Sequence, residues 1–141
     1  KTNKSQWSAH VASSRFVIMC GGTFPVTFML YEAILLGSIP VFIIPQKTLL
    51  SKVYAKVNYS SPGNLYDLMP FSDDGVDWSR FSVLLCETQF YPSSLLASLE
   101  LMGAAEVQAM QMYLNSIRHR FLPLNAVRYA VRRHSTKYRG M

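Results

Sequence analysis

The sequence predicts an α/β fold, a Rossmann-like parallel sheet with flanking helices. Two observations on one stretch carry the prediction. The first is order: a short apolar run from Phe16 to Cys20, a break at Gly21 and Gly22, a helical pattern from about Val26 to Leu36, a stop at Gly37, and a second apolar run from Ile39 to Ile44 ahead of Pro45. Strand, glycine turn, helix and strand in that order make a βαβ unit, which requires a parallel sheet. The second is that successive residues in both runs are apolar, as in strands covered on two faces.

Taken in order, the chain begins with a helical segment, Ser5 to Ser13, with Ser5 as N-cap and Trp7, His10 and Val11 on one face. His10 has no sequence partner that would make it catalytic and reads as a packed or surface histidine. The glycine turn that follows the first strand is a candidate anion site. The first turn of a helix offers unpaired N–H groups and the positive end of the dipole, and glycines let a ligand approach the backbone closely. A phosphate there gains about 0.3–1 kcal/mol from the dipole, besides its hydrogen bonds. Glu32 is the only charge between Arg15 and Lys47. A lone acid in an apolar stretch is costly to bury without a partner, and a sugar hydroxyl pair would be one. The structural alternative is a turn that only solves a packing problem, with Glu32 on a helix face beside a Lys or Arg. Gly21-Gly22 is neither G-x-G-x-x-G nor a Walker loop.

Gln46 to Asp67 combines Lys47, Lys52 and Lys56 with Tyr54, Tyr59 and Tyr66 around the turn signal Ser60-Ser61-Pro62-Gly63-Asn64. It follows the second strand, at the sheet end where open α/β folds bind ligands. It reads either as a lid or as an insertion without a role. Asp73, Asp74 and Asp77 are crowded but lack the spacing of a ligand set, so no metal is assigned. A turn at Asp74-Gly75 leading to Trp78 and a strand from Phe81 to Leu85 is the expectation. Ser93 or Ser94 would cap a helix running to about Met102, and Gly103 would break it. A longer helix from Ala104 to about Phe121 would bury a stripe of Val107, Met110, Met112, Leu114, Ile117 and Phe121. Pro123 would end it, and Asn125 to Arg133 would form a basic helix.

The totals allow one domain: 141 residues, enough to bury roughly 68–70% of the unfolded surface. The net charge is +6, and the positives cluster from Arg118 to Arg139, where there is no acid. Such a tail suits an anionic partner, such as nucleic acid, membrane headgroups or acidic polysaccharide, or is a solvated face. It carries no recognisable nucleic-acid motif, which argues against nucleic acid. Cys20 and Cys86 sit in apolar runs and read as buried thiols; a bridge between them is not legible. Glu32, the glycines Gly21, Gly22 and Gly37, and Pro25 and Pro40 argue against a continuous membrane span from Phe16 to Pro45.

The stretch SRFVIMCGG, then PVTFMLYEAILLGSIPVFI, resembles the donor-half signature of exostosin-like glycosyltransferases (family 47), S-[KR]-F-C-L-x-P-x-G, S-x-R-x-x-E-A-[IL] and G-C-x-P-V. Downstream, Met69-Pro70-Phe71-Ser72, Val76-Asp77-Trp78 and Phe81-Ser82-Val83 resemble that family's L-P-F, [LI]-[DN]-W and F-[SA]-V blocks. The resemblance covers about residues 5–122. It divides the chain into a donor-binding domain, 1–122, with an inserted loop at 47–66, and a basic C-terminal tail or helix, 123–141.

The resemblance implies one half of a GT-B glycosyltransferase. The reaction would be inverting transfer from a UDP-sugar donor to a hydroxyl of a glycan or protein acceptor. Gly21, Gly22 and Thr27 would lie at the phosphate turn and Glu32 on the ribose, with no further cofactor. Asp77 and Trp78 would be mainly structural. The catalytic base would lie in an N-terminal half or a homologous partner subunit, so none is assigned. The chain would be the C-terminal piece of a longer protein on the lumenal side of the Golgi membrane. Two positions depart from the signature. Cys20 stands where the turn has Pro, and Met29 stands where an Arg would meet the diphosphate. Lys47 or Lys52 would be the replacement cation. A catalytically degenerate relative serving as a structural or partner subunit is the alternative reading. An anion-binding module acting through the basic tail is a third.

Overall fold

The computed structural model describes residues 4–19, 28–44, 66, 69–86 and 92–138. Helix α1 (Lys4–Ser13) leads into strand β1 (Phe16–Met19), helix α2 (Phe28–Leu36) and strand β2 (Ile39–Ile44). Two short 3-10 turns, Ser72–Asp74 and Trp78–Arg80, precede strand β3 (Val83–Cys86). Helices α3 (Pro92–Glu100), α4 (Ala104–Ile117) and α5 (Pro123–Tyr138) follow among the described residues, with a 3-10 turn, Arg118–Phe121, between the last two. Among the described residues the sheet has three strands in the order β1-β2-β3, all parallel. This is a mixed α/β fold with a small open parallel sheet flanked by helices. No helix among the described residues is long and apolar enough to cross a membrane.

The turn between α2 and β2 is built as its sequence suggests. Leu30, Ala33 and Ile34, at helical spacing, are buried against the sheet. Gly37 takes a left-handed φ of 88°, and its N–H donates to the Ile34 carbonyl while that of Ser38 donates to Ala33. These two bonds are a Schellman stop, which any residue with a Cβ would strain. Ser38 is fully buried, and its hydroxyl lies 2.5 Å from the Val11 carbonyl oxygen and 2.9 Å from that of Ser14. One proton shared between two acceptors thus ties the end of α1 to the start of β2. Ile39 N–H then donates to Arg15 O. Because donors alternate sides along a strand, Pro40, in the central strand, faces its missing N–H toward β3. The β3 ladder begins one residue later, at Val41 opposite Val83, so the proline costs no ladder bond.

Register divides the sheet's side chains. Val17, Met19, Phe42 and Leu84 share the face that packs on α2 and on a core of Met69, Phe71, Trp78, Phe81, Leu114 and Phe121. Phe16, Ile39 and Val83 share the other face, under Val107 and Met110 of α4. The second cover is incomplete, for Ile18 on β1 is 40% exposed. The expectation of two fully covered faces holds for the middle of β2, not for β1.

Other expectations are corrected. Ser5 lies inside α1 rather than capping it. Phe81 is not in a strand; it is fully buried in the turn before β3. Ser93 and Ser94 fall within the first turn of α3, behind Pro92. Met112 is exposed, off the stripe formed by Val107, Met110, Leu114 and Ile117. Pro123 opens α5 rather than merely ending a helix, which suits a residue whose absent N–H would be unpaired in the first turn anyway. That helix packs on the domain through Tyr129, whose ring lies 4.3 Å from that of Phe71.

Candidate functional site

All three strands are parallel, so their carboxyl ends lie on one edge of the sheet. Residues 20–27, 45–65 and 87–91 directly follow those ends. Ligands of open α/β sheets bind outside such an edge. Helix α2 begins on this side, running back from the end of β1. Gly21, Gly22 and Thr27 lie outside the described residues, as do Cys20, Lys47 and Lys52.

Glu32 is described, and it is exposed rather than buried. It sits about 6 Å along the axis from Phe28, the first residue of α2. Its carboxylate Oε2 accepts the indole N–H of Trp7 at 3.2 Å. The partner is thus an aromatic donor from α1, not the Lys or Arg expected of a helix-face acid. Since a carboxylate has about four acceptor positions, the rest of its capacity stays open to solvent or a hydroxyl. Glu32 lines a groove of about 560 Å³ with Phe28, Tyr31 and Leu35 of α2 and Phe121, Ala126 and Val127 opposite. The groove is mainly apolar. Burial raises the Tyr31 hydroxyl above the ordinary tyrosine range. Met29, at the position of the signature's arginine, packs against the core.

The three clustered acids have structural partners. Asp73 accepts the hydroxyl of Tyr129. Asp74 pairs with Arg120 at 3.5 Å, and its carbonyl accepts the same guanidinium at 2.6 Å. Asp77 caps the Trp78–Arg80 turn through the Ser79 N–H. Among the described residues, no group of three or more His, Cys, Asp or Glu could hold a metal ion. His10 is exposed, with its carbonyl accepting the Ser13 and Ser14 hydroxyls.

A cationic cleft of about 670 Å³, which no single residue of the sequence announces, lies between the Ser72–Asp74 turn and α5. It is lined by Asp74, His119, Arg120, Arg128 and Arg132 over the ring of Phe71. Its trace in the sequence is the spacing of Arg128 and Arg132, one helical turn apart in an acid-free stretch. Comparison with protein-family models, with curated proteins and with solved structures finds no match to the chain.

Proposed function

We propose that the chain is the donor-binding half of an exostosin-like glycosyltransferase of GT-B architecture, transferring a sugar from a UDP-sugar to a glycan or protein acceptor hydroxyl. The observation that supports the reading is the parallel β1-α2-β2 unit, whose helix starts at the carboxyl edge and carries an exposed carboxylate just over one turn along. Backbone N–H groups at Gly21 and Gly22, with the Thr27 hydroxyl, would receive the diphosphate, where negative charge grows as the sugar departs. Glu32 would grip the ribose hydroxyls. The acceptor base would come from an N-terminal half or a homologous partner subunit, and the compartment would be the Golgi lumen.

Two observations favour a second reading, a catalytically degenerate partner subunit. Met29 supplies no charge where the signature has Arg, and one oxygen of Glu32 is engaged by Trp7. Calorimetric titration with UDP separates the two. Saturable binding that weakens in Glu32→Ala supports the donor reading; absence of binding to a folded chain leaves the partner-subunit reading.

A further inference from the structure

We propose that α5 is an interfacial helix that docks this domain on an anionic lipid surface. This does not rest on the donor reading, and it competes with that reading's lumenal compartment, because anionic lipid is concentrated in cytoplasmic leaflets.

The argument starts from which way the helix faces. Ala126 and Tyr129 turn toward the core, with Tyr129 against Phe71. Leu124, Val127 and Val131 recur at i, i+3 and i+7 on the opposite side and are 62%, 60% and 63% exposed. A helix already packed on its own domain has no folding reason to turn a second aliphatic stripe to water. Phe28 extends the apolar surface: it is 92% exposed and shares the apolar groove with Val127.

Charge selects the occupant. Val127 and Val131 of the stripe also line the cationic cleft, together with His119, Arg120, Arg128 and Arg132. Arg128 has no hydrogen-bond or ion-pair partner among the described residues. Glu106 is the last acid in the sequence. Three acids border the surface and each is engaged, Asp73 by Tyr129, Asp74 by Arg120 and Glu32 by Trp7, while α5 itself carries Arg128, Arg132, Arg133 and Lys137 and no acid. Aliphatic side chains turned outward and flanked by an excess of cations match the boundary between acyl chains and anionic headgroups. The stripe would enter the boundary while the cleft receives a headgroup phosphate.

The test is co-sedimentation of the whole chain with vesicles of phosphatidylcholine alone or mixed two to one with phosphatidylserine. The chain is expected to pellet with the mixed vesicles and stay in solution with the neutral ones. Replacing the stripe (Leu124→Ser, Val127→Ser, Val131→Ser) should weaken binding about tenfold or more. Arg128→Gln alone should weaken it about fivefold. All four side chains face outward, so circular dichroism should show the variants folded. Equal pelleting with both vesicle types, or none with either, overturns the proposal. So does undiminished binding by the serine variant, which would mark a purely electrostatic site for soluble polyanions. A wild-type dimer in sedimentation velocity that the serine variant converts to monomer would assign the face to a second copy of the chain instead.

Discussion

The indole N–H of Trp7 donates to the carboxylate of Glu32 across 25 residues of sequence, at 3.2 Å. The bond joins α1 to the outer face of α2 and fixes the one acid of the βαβ stretch. It is solvent-exposed, so its contribution is expected below the range for buried bonds to charged groups, at about 1 kcal/mol. A double-mutant cycle of Trp7→Phe and Glu32→Gln, followed by urea denaturation, should give a coupling of that size. Strictly additive losses would mean that the two side chains meet without stabilising the fold.

Trp78 is the centre of the aromatic core. Its ring meets those of Phe42, Phe81 and Phe121 at centroid distances of 6.2, 4.8 and 5.7 Å, and its N–H donates to Pro70 O at 2.9 Å. Trp78→Ala is expected to cost about 3–5 kcal/mol, enough to unfold a marginal domain. Trp78→Phe keeps most of the packing and leaves the Pro70 carbonyl short of a donor, for about 1–3 kcal/mol. Denaturation midpoints should fall in that order; equal midpoints for the two variants would show that the hydrogen bond stabilises the core more than the ring packing does.

The parts of the fold visible in the sequence are those written in local chemistry. Gly37 needs no tertiary information, since a left-handed stop after Leu36 follows from its lack of a Cβ. Ile39–Ile44 is a strand by run length and branching, and its neighbours follow from the intervening helix. What could not be read depended on distant partners. Ser38 is an ordinary serine until α1 brings the Val11 carbonyl to it. Met112 sits one helical position off a stripe whose centre only the packing of α4 determines. The apolar stripe of α5 is itself periodic in the sequence, with Leu124, Val127 and Val131 on one face; what could not be read is that the core takes the side of Ala126 and Tyr129 and leaves that stripe to solvent. In the candidate site, the place of Glu32 on a helix was legible from local pattern. Its exposure and its indole partner were not, because both depend on where α1 lies.

Tyr66 links stability to alkaline pH. Burial raises its hydroxyl above the ordinary value of about 10; the hydrogen bond with Ser82 offsets part of this, and the nearby Asp77 charge adds to it. A folded-state pKa above the unfolded one means that between the two the native state holds a proton the unfolded chain has lost. Stability is therefore complete below about pH 10 and falls as pH rises through the folded-state value. Tyr66→Phe removes the titrating group, while Ser82 keeps the Trp78 carbonyl at 2.7 Å. Melting temperatures measured from pH 8 upward should decline less steeply in this variant. Tyr31, also raised by burial, should leave a residual slope. Identical slopes in the two proteins would mean that Tyr66 does not govern the decline.

Met29 offers the sharpest separation of an active donor half from a degenerate one. It lies in the first turn of α2, half-buried against the core, where the resembling signature has a diphosphate-binding arginine. An arginine there can lay its alkyl stem along the apolar surface that methionine now covers and extend its guanidinium toward the helix start. A charge-assisted bond to the diphosphate is worth about 1.5–3 kcal/mol, so Met29→Arg should tighten UDP binding by about ten- to a hundredfold. The gain should disappear for uridine, which lacks the phosphates, and shrink with added salt. If UDP affinity is unchanged in a folded Met29→Arg chain, the diphosphate does not sit at the start of α2, and the alignment of this helix with a donor site fails with it.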